Sequence, residues 1–279
     1  FRGMTPEQAS LERYRVAIEP YRRRLTIAIS IGLGLVAGLT AASEWGTYLL
    51  WRNAVPFNIT DPQFGMDLSF YTFTLPFIRF LLDFGFAMII LSFIAALVVQ
   101  YIYGGLRLQP KGDRASAAAQ SQLSLIIGLF VLLKAVAYWY DRFGLATRSE
   151  SLVAGLTGLK YTDVIAVLPA LNILAAVSVP VALLFFFNAF RRHWVIPGIG
   201  AGLLILTAVV VGVLYPLFVQ QFQVRPNELV REQPYLERNI NATRDAYGIA
   251  NTEVTAYPGT VDPPSQAVLT ASAGTLNNI

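Results

Sequence analysis

Five long apolar runs dominate the chain, and short stretches between them hold nearly all the charge. The runs cover about 25–42, 77–106, 122–140, 164–190 and 195–219. A helix needs roughly 20 mostly apolar residues to cross the hydrocarbon core of a bilayer. Apolar positions are continuous rather than alternating, which predicts helices and not barrel strands. The pattern therefore predicts an all-α integral membrane protein, a polytopic helical bundle over residues 25–219. Residues 1–24 precede the bundle, 43–76 form a long amphipathic loop, and 220–279 form a polar tail.

Cations flanking the runs set the expected orientation. Arg13, Arg15, Arg22, Arg23 and Arg24 precede the first run, Arg107, Lys111 and Arg114 follow the second, and Arg191 and Arg192 follow the fourth. These three segments are expected to be cytoplasmic. The opposite loops carry Arg52, then Arg142, Arg148 and Lys160 mixed with Asp141, Glu150 and Asp163. Residues 220–279 then lie outside the cell, and a bacterial plasma membrane is the expected location.

Within the first outer loop, Trp45, Tyr48, Leu49, Leu50 and Trp51 predict an amphipathic helix lying in the membrane interface. The stretch after it holds Asp61, Phe64, Asp67, Phe70, Tyr71 and Phe73. So many rings cannot be hidden by a short loop in water, so the loop either packs on the membrane surface or faces lipid or a partner. In the tail, Pro226-Asn227 predicts a helix start, Leu236, Ile240, Thr243 and Tyr247 one apolar stripe, and Gly248 the helix end. A short strand at 253–257, a turn at Pro258-Gly259 and a further helix start at Pro263-Pro264 follow. So little apolar content cannot build a core alone, and the tail reads as the opening of a larger extracytoplasmic domain. Phe1 in place of an initiator methionine fits an excerpt of a longer protein.

Composition narrows the chemistry. Of 279 residues 55% are hydrophobic and 14% charged, where a soluble domain carries about a quarter. With no cysteine and the single His193, neither a disulfide, a thiolate nucleophile nor a histidine metal cluster is expected. No cofactor motif is present. The net charge of +4 belongs to residues that orient spans, not to a nucleic-acid surface.

Ionisable groups inside spans are the best pointers to function. Lys134 lies six residues before Tyr140, and Asp83 seven residues after Pro76. At about 1.5 Å per residue both lie roughly 10 Å below the outer surface. An Asp83–Lys134 ion pair is expected, with Arg79 one turn above Asp83 sharing the carboxylate or snorkelling. Pro169, Asn172 and Pro180 predict a kinked fourth span. Gly34 and Gly38, and Gly198 and Gly202, have the small-xxx-small spacing of close helix contacts.

The run Asp61-Pro62-Gln63-Phe64-Gly65-x-Asp67-Leu68-x-Phe70-Tyr71 resembles a signature of the UPF0182 family of integral membrane proteins. So do Leu132-Leu133-Lys134-Ala135-Val136-Ala137-Tyr138-Trp139, Tyr161-Thr162-Asp163, and Pro226-Asn227-Glu228 through Thr243-Arg244-x-Ala246-Tyr247-Gly248. The resemblance implies a long actinobacterial or cyanobacterial protein with about seven spans and a large extracytoplasmic region. Two upstream spans and most of that region would then lie beyond this excerpt. It also implies a partner, a membrane-anchored PDZ/Lon-type serine protease.

Three functions remain open. The first is a membrane scaffold or accessory subunit of an envelope complex, binding membrane lipids and other envelope proteins. The second is a transporter or lipid-handling protein using the Asp83–Lys134 pair. The third is a lipid-linked glycosyltransferase using Glu44, Asp61 or Asp67. The scaffold accounts best for an aromatic loop without recognisable chemistry, which points away from an enzyme.

Overall fold

A computed structural model describes residues 16–17, 19–106, 115–149, 157–252, 265–271 and 273–276. Arg13, Arg15, Arg107, Lys111, Arg114, Glu150, the expected strand at 253–257, the Pro258-Gly259 turn and the Pro263-Pro264 helix start lie outside the described residues. The chain divides into two compact units, Phe1–Asn239 and Ile240–Ile279.

In the first unit the described residues are helical with loops between. Helix α1 is Arg22–Ser43, α2 Trp45–Arg52, α3 Leu75–Ile102, α4 Ala117–Gly144 and α5 Leu168–Arg191. Helix α6, Val195–Val209, leads through short turns into α7, Tyr215–Val219, and α8, Glu228–Ala246. Five helical stretches are long and apolar enough to cross a membrane: Glu19–Ser43, Phe70–Ile102, Ala117–Thr147, Asp163–Arg191 and Val195–Ala246. The architecture is that of an all-α polytopic membrane protein.

Four wide turns punctuate these helices, at Phe70–Thr74, Asp163–Val167, Val210–Leu214 and Gln220–Val224. Each ends two residues before a proline: Pro76, Pro169, Pro216 and Pro226. The residue just before each proline donates its N–H five residues back: Leu75 to Phe70 O, Leu168 to Asp163 O, Tyr215 to Val210 O and Arg225 to Gln220 O. Proline has no N–H to give, and its ring crowds the carbonyl four residues before it. Widening the preceding turn relieves that crowding while keeping the helix continuous. Pro180 instead lies inside α5, where no wide turn precedes it.

The bundle is built outward from α4 and α5, whose contact is the most extensive, with α3 on α4 and α6 on α5. Val131, Val181, Ala182 and Phe185 form its centre, with Phe186 and Ile127 packed against them. Gly128 permits the close approach, since a Cβ there would stand 2.8 Å from the Phe186 ring and 3.2 Å from Phe185 Cβ. Near α6, a Cβ on Gly200 would stand 3.0 Å from Leu184 Cδ1. The small-xxx-small expectation is corrected here. At Gly34, Gly38, Gly198 and Gly202 nothing comes within 4 Å of a Cβ position. Those glycines face outward, and Gly128 and Gly200, outside the matched spacing, make the contacts.

Helix α1 has no buried residue. Its first residue is tied to the bundle by Arg22, whose guanidinium lies 5.4 Å from the Tyr103 ring centre. Beyond its last turn, Trp51 of α2 stacks on Phe77 of α3 at 4.5 Å, with Tyr48 at 5.9 Å. In the second unit, α8 ends where Gly248 adopts φ +69° and Ile249 N–H returns to Arg244 O. Helices α9, Gln266–Ala271, and α10, Ala273–Leu276, follow.

Filling the α4–α5 contact is expected to destabilise the bundle. Gly128→Val should cost about 1–3 kcal/mol through overpacking against Phe185 and Phe186, while Gly198→Ala stays within about 0.5 kcal/mol. Reversible unfolding in mixed micelles measures both, and equal effects at the two sites would contradict this packing.

Candidate functional site

The sequence motifs converge at the Phe143 end of the bundle, where α3 and α5 begin and α4 ends. Residues 53–69 fold there around two aspartates. Asp61, 8% exposed, accepts from Phe64 N–H (2.5 Å) and Tyr71 O–H (3.1 Å). Asp67 accepts from Phe57 N–H (3.0 Å), Asn58 N–H (2.8 Å) and Ser69 N–H (2.8 Å). Asp61 N–H donates to Met66 O (2.8 Å) and Leu68 N–H to Ile59 O (2.9 Å), closing the loop on itself. Asn58 at φ 58° and Gly65 at φ 66° take the left-handed turns. Asparagine and glycine accept that conformation at least cost.

The donors around Asp67, led by the Ser69 side chain and the Phe57 N–H, hold its carboxyl down to about 2. Hydrogen bonds to the ionised form favour it. Glu44 accepts from Thr47 O–H at 2.7 Å. All three candidate acids therefore cap their own local turns.

The rings close over the end of α4. Phe64 and Phe70 meet Phe143 edge-on at 5.2 and 5.1 Å, Tyr71 packs on Phe70 at 5.4 Å, and Phe57 on Phe73 at 5.5 Å. Edge-to-face geometry suits the quadrupoles of such pairs. Phe143, absent from the sequence-derived candidates, is the residue that organises the loop.

Below this rim, Gly85 packs on Leu133 and Phe86 on Phe130, which brings Asp83 and Lys134 to similar depth. Depth does not make them a pair. Among the described residues no carboxylate forms an ion pair with Lys134 or Arg79. The expected Asp83–Lys134 bridge is not among the ion pairs of the described residues. Asp83 is exposed on α3. The Lys134 ammonium lies instead 4.9 Å from the Tyr138 ring centre and 5.5 Å from that of Phe86. Arg79 rises to Gly144, where a Cβ would collide with its guanidinium. Lys134, Arg79 and Asp83 all act electrostatically on Asp141, which sequence reasoning had placed only among loop charges. Arg142 lies 3.4 Å from the Trp139 ring centre and donates to Asn172 Oδ1 (3.1 Å), joining α4 to α5.

A second network fastens the first part of α8. Tyr161 N–H donates to Glu232 Oε2 (3.0 Å), and Arg231 Nη1 to the Tyr161 oxygen (3.3 Å). Thr162 O–H donates to Gln220 Oε1 (2.5 Å), and Asn239 Nδ2 to Thr157 O (2.5 Å). Arg238 Nη1 reaches Gln63 Oε1 in the first loop at 3.2 Å. Asp163, 5% exposed, accepts from Lys160 N–H (3.0 Å) and pairs with Arg148 (3.6 Å). Beneath them Ala166, Val219 and Val224 are sealed, with Tyr161 packed over them. Sequence reasoning missed Gln220, Arg231, Glu232, Arg238 and Asn239. Their signal, polar side chains recurring on one stretch of tail, is indistinguishable from a solvated helix until the loop partner is known.

The profile of the Uncharacterised protein family (UPF0182) matches residues 1–279. A UPF0182 protein of Streptomyces coelicolor is 53% identical over 259 residues, covering 92% of this chain and 26% of the relative. One from Frankia alni is 49% identical, covering 99% and 27%, and one from Thermobifida fusca 41% identical, covering 100% and 27%. The chain thus spans about a quarter of the length of these relatives. No solved structure matches it.

Two outcomes test the rim. A carboxyl held below its unfolded value stabilises the loop above the unfolded pKa of about 4, and that contribution fades as pH falls through the folded value of about 2. Emission of Trp51, kept as the sole tryptophan, should hold steady down to about pH 4 and shift toward about pH 2, while Asp67→Asn shifts it already at neutral pH. A neutral-pH spectrum unchanged by Asp67→Asn counts against this role. Removing the Glu232 acceptor should cost about 1–2 kcal/mol by orphaning Tyr161 N–H. Hydrogen exchange at 157–163 is then expected to speed up roughly tenfold in Glu232→Ala, and unchanged exchange would refute the contact.

Proposed function

This chain belongs to the UPF0182 family, and from that premise we propose that it is a membrane-embedded scaffold of a bacterial envelope complex. In this reading the bundle lies in the plasma membrane, with Arg22, Arg23, Arg24, Arg191 and Arg192 on the cytoplasmic side. The Phe143 rim, α2 and α8 are then extracytoplasmic.

One observation carries the reading: the last span continues without a break from Val195 to Ala246, and its outer part is fastened to the loops. A flexible tether would suffice merely to retain a soluble domain. A helix held to two loops instead presents its own side chains as a fixed surface, as an assembly platform requires. The acids of the first loop support this, because their lone pairs serve the loop's own backbone. Exposed Trp45, Leu229 and Val230 supply apolar surface beside that platform. The envelope partner includes the membrane-anchored PDZ/Lon-type serine protease class.

A transport or lipid-handling role is the second reading, supported by the charges of Lys134, Arg79 and Asp83 acting on Asp141.

Site-specific photo-crosslinking in native membranes separates the two. With the probe at Leu229 or Val230 of the full-length protein, a scaffold yields discrete protein adducts that Glu232→Ala weakens. Lys134→Met should leave those adducts unchanged. Adducts to lipid alone, at every probe position, would overturn the scaffold.

A further inference from the structure

The α4–α5 seam changes character along its length. Around Gly128, Val131, Val181 and Phe185 it is apolar and closely packed. Toward the Arg191 end it becomes polar. Ser121 O–H reaches Ala189 O across the seam at 2.6 Å, and Asn188 Nδ2 donates to Ser124 Oγ at 2.7 Å. Ser124 is fully buried and Asn188 is 2% exposed. Gln120, one turn before Ser124 on the same face of α4, donates to Ala115 O at 3.0 Å. Among the described residues, the buried acceptors Asn188 Oδ1 and Gln120 Oε1 receive no hydrogen bond.

We propose that this end of the seam is an internal water site, with the side-chain carbonyls of Asn188 and Gln120 as its acceptors. Leaving a buried acceptor unpaired costs about 1–3 kcal/mol. Immobilising a water costs at most about 2 kcal/mol and satisfies more than one partner. Turning the Asn188 amide over does not remove the need. Oδ1 would then accept from Ser124 O–H, and Nδ2 would be the sealed group without a partner. Water serves either orientation because it both donates and accepts. A monovalent cation is the competing occupant for carbonyl oxygens. It would bring a full charge to a seam whose named ligands are all neutral, and burying an uncompensated ion costs far more than ordering a water. The site therefore takes a neutral donor.

The test uses the full-length protein, labelled on asparagine and reconstituted in phosphatidylglycerol and phosphatidylethanolamine vesicles. Water-edited solid-state NMR should show transfer from water to the Asn188 side-chain amide, assigned by its loss in Asn188→Leu. Asn188→Leu with Ser124→Ala removes both partners together, which is better tolerated than removing one, and it should remain folded, which shows that the seam does not depend on these side chains for its fold. Thermal unfolding should be the same in sodium, potassium and choline chloride. Absence of transfer to a folded, assigned Asn188 would overturn the site as a water site. A sodium-specific rise in Tm that the double variant abolishes would do so too, in favour of a cation.

Discussion

A backbone N–H or C=O that water cannot reach has to find its partner within its own helix, and proline removes one donor from that ladder. Much of the architecture follows from how the chain meets this constraint. At Pro76, Pro169, Pro216 and Pro226 the same solution recurs: the preceding turn widens and the residue before the proline reaches back five positions. The helix axis is kept while the turn is loosened. That is why α3 and α5 enter the bundle already helical from Phe70 and Asp163, and why the last span passes into α8 without a loop.

The wide turns also position side chains at the rim. Asp163 opens one of them, and its carboxylate is placed to meet Lys160 N–H and Arg148. Gln220 opens another and receives the Thr162 hydroxyl. Two helices are thereby joined at the points where their backbones depart from ordinary α geometry. Phe143 performs the matching task for the first loop, which folds on its own aspartates before its rings reach α4. Side-chain contacts thus tie the first loop and the stretch from Gln220 to Asn239 to the bundle, whereas α1 is attached at its ends and contributes no buried residue.

The spans were legible because solvent writes them directly: the apolar runs near 164–190 and 195–219 became α5 with its leading turn and α6 with its continuation. The short helix Trp45–Arg52 was equally legible from the residues Trp45 to Trp51. Facing was not. Asp83 and Lys134 share a depth that counting residues recovers, yet depth leaves open which neighbour a side chain meets, and the Lys134 ammonium meets the Phe86 and Tyr138 rings. The glycine spacings failed for a related reason, since Gly198 and Gly202 flank the position, Gly200, that meets Leu184. The α8 contacts were hidden because each joins residues some 58 to 175 positions apart, as with Thr162–Gln220 and Gln63–Arg238.

The apolar collar around Gly128 has an electrical meaning in a bilayer. Ser124 and Lys134 stand ten positions apart, about 15 Å of helix, with polar groups at either end and Phe185, Val131 and Val181 between. Hydrated or polar zones carry little of a transmembrane voltage, so the drop concentrates over this short apolar layer. The ammonium of Lys134 stands at its edge, where each elementary charge moved across the full potential is worth about 2.3 kcal/mol per 100 mV. In a bilayer such a layer sets the Lys134 ammonium apart from the polar end at Ser124 and Asn188, so a charge crossing the seam would meet its desolvation cost here.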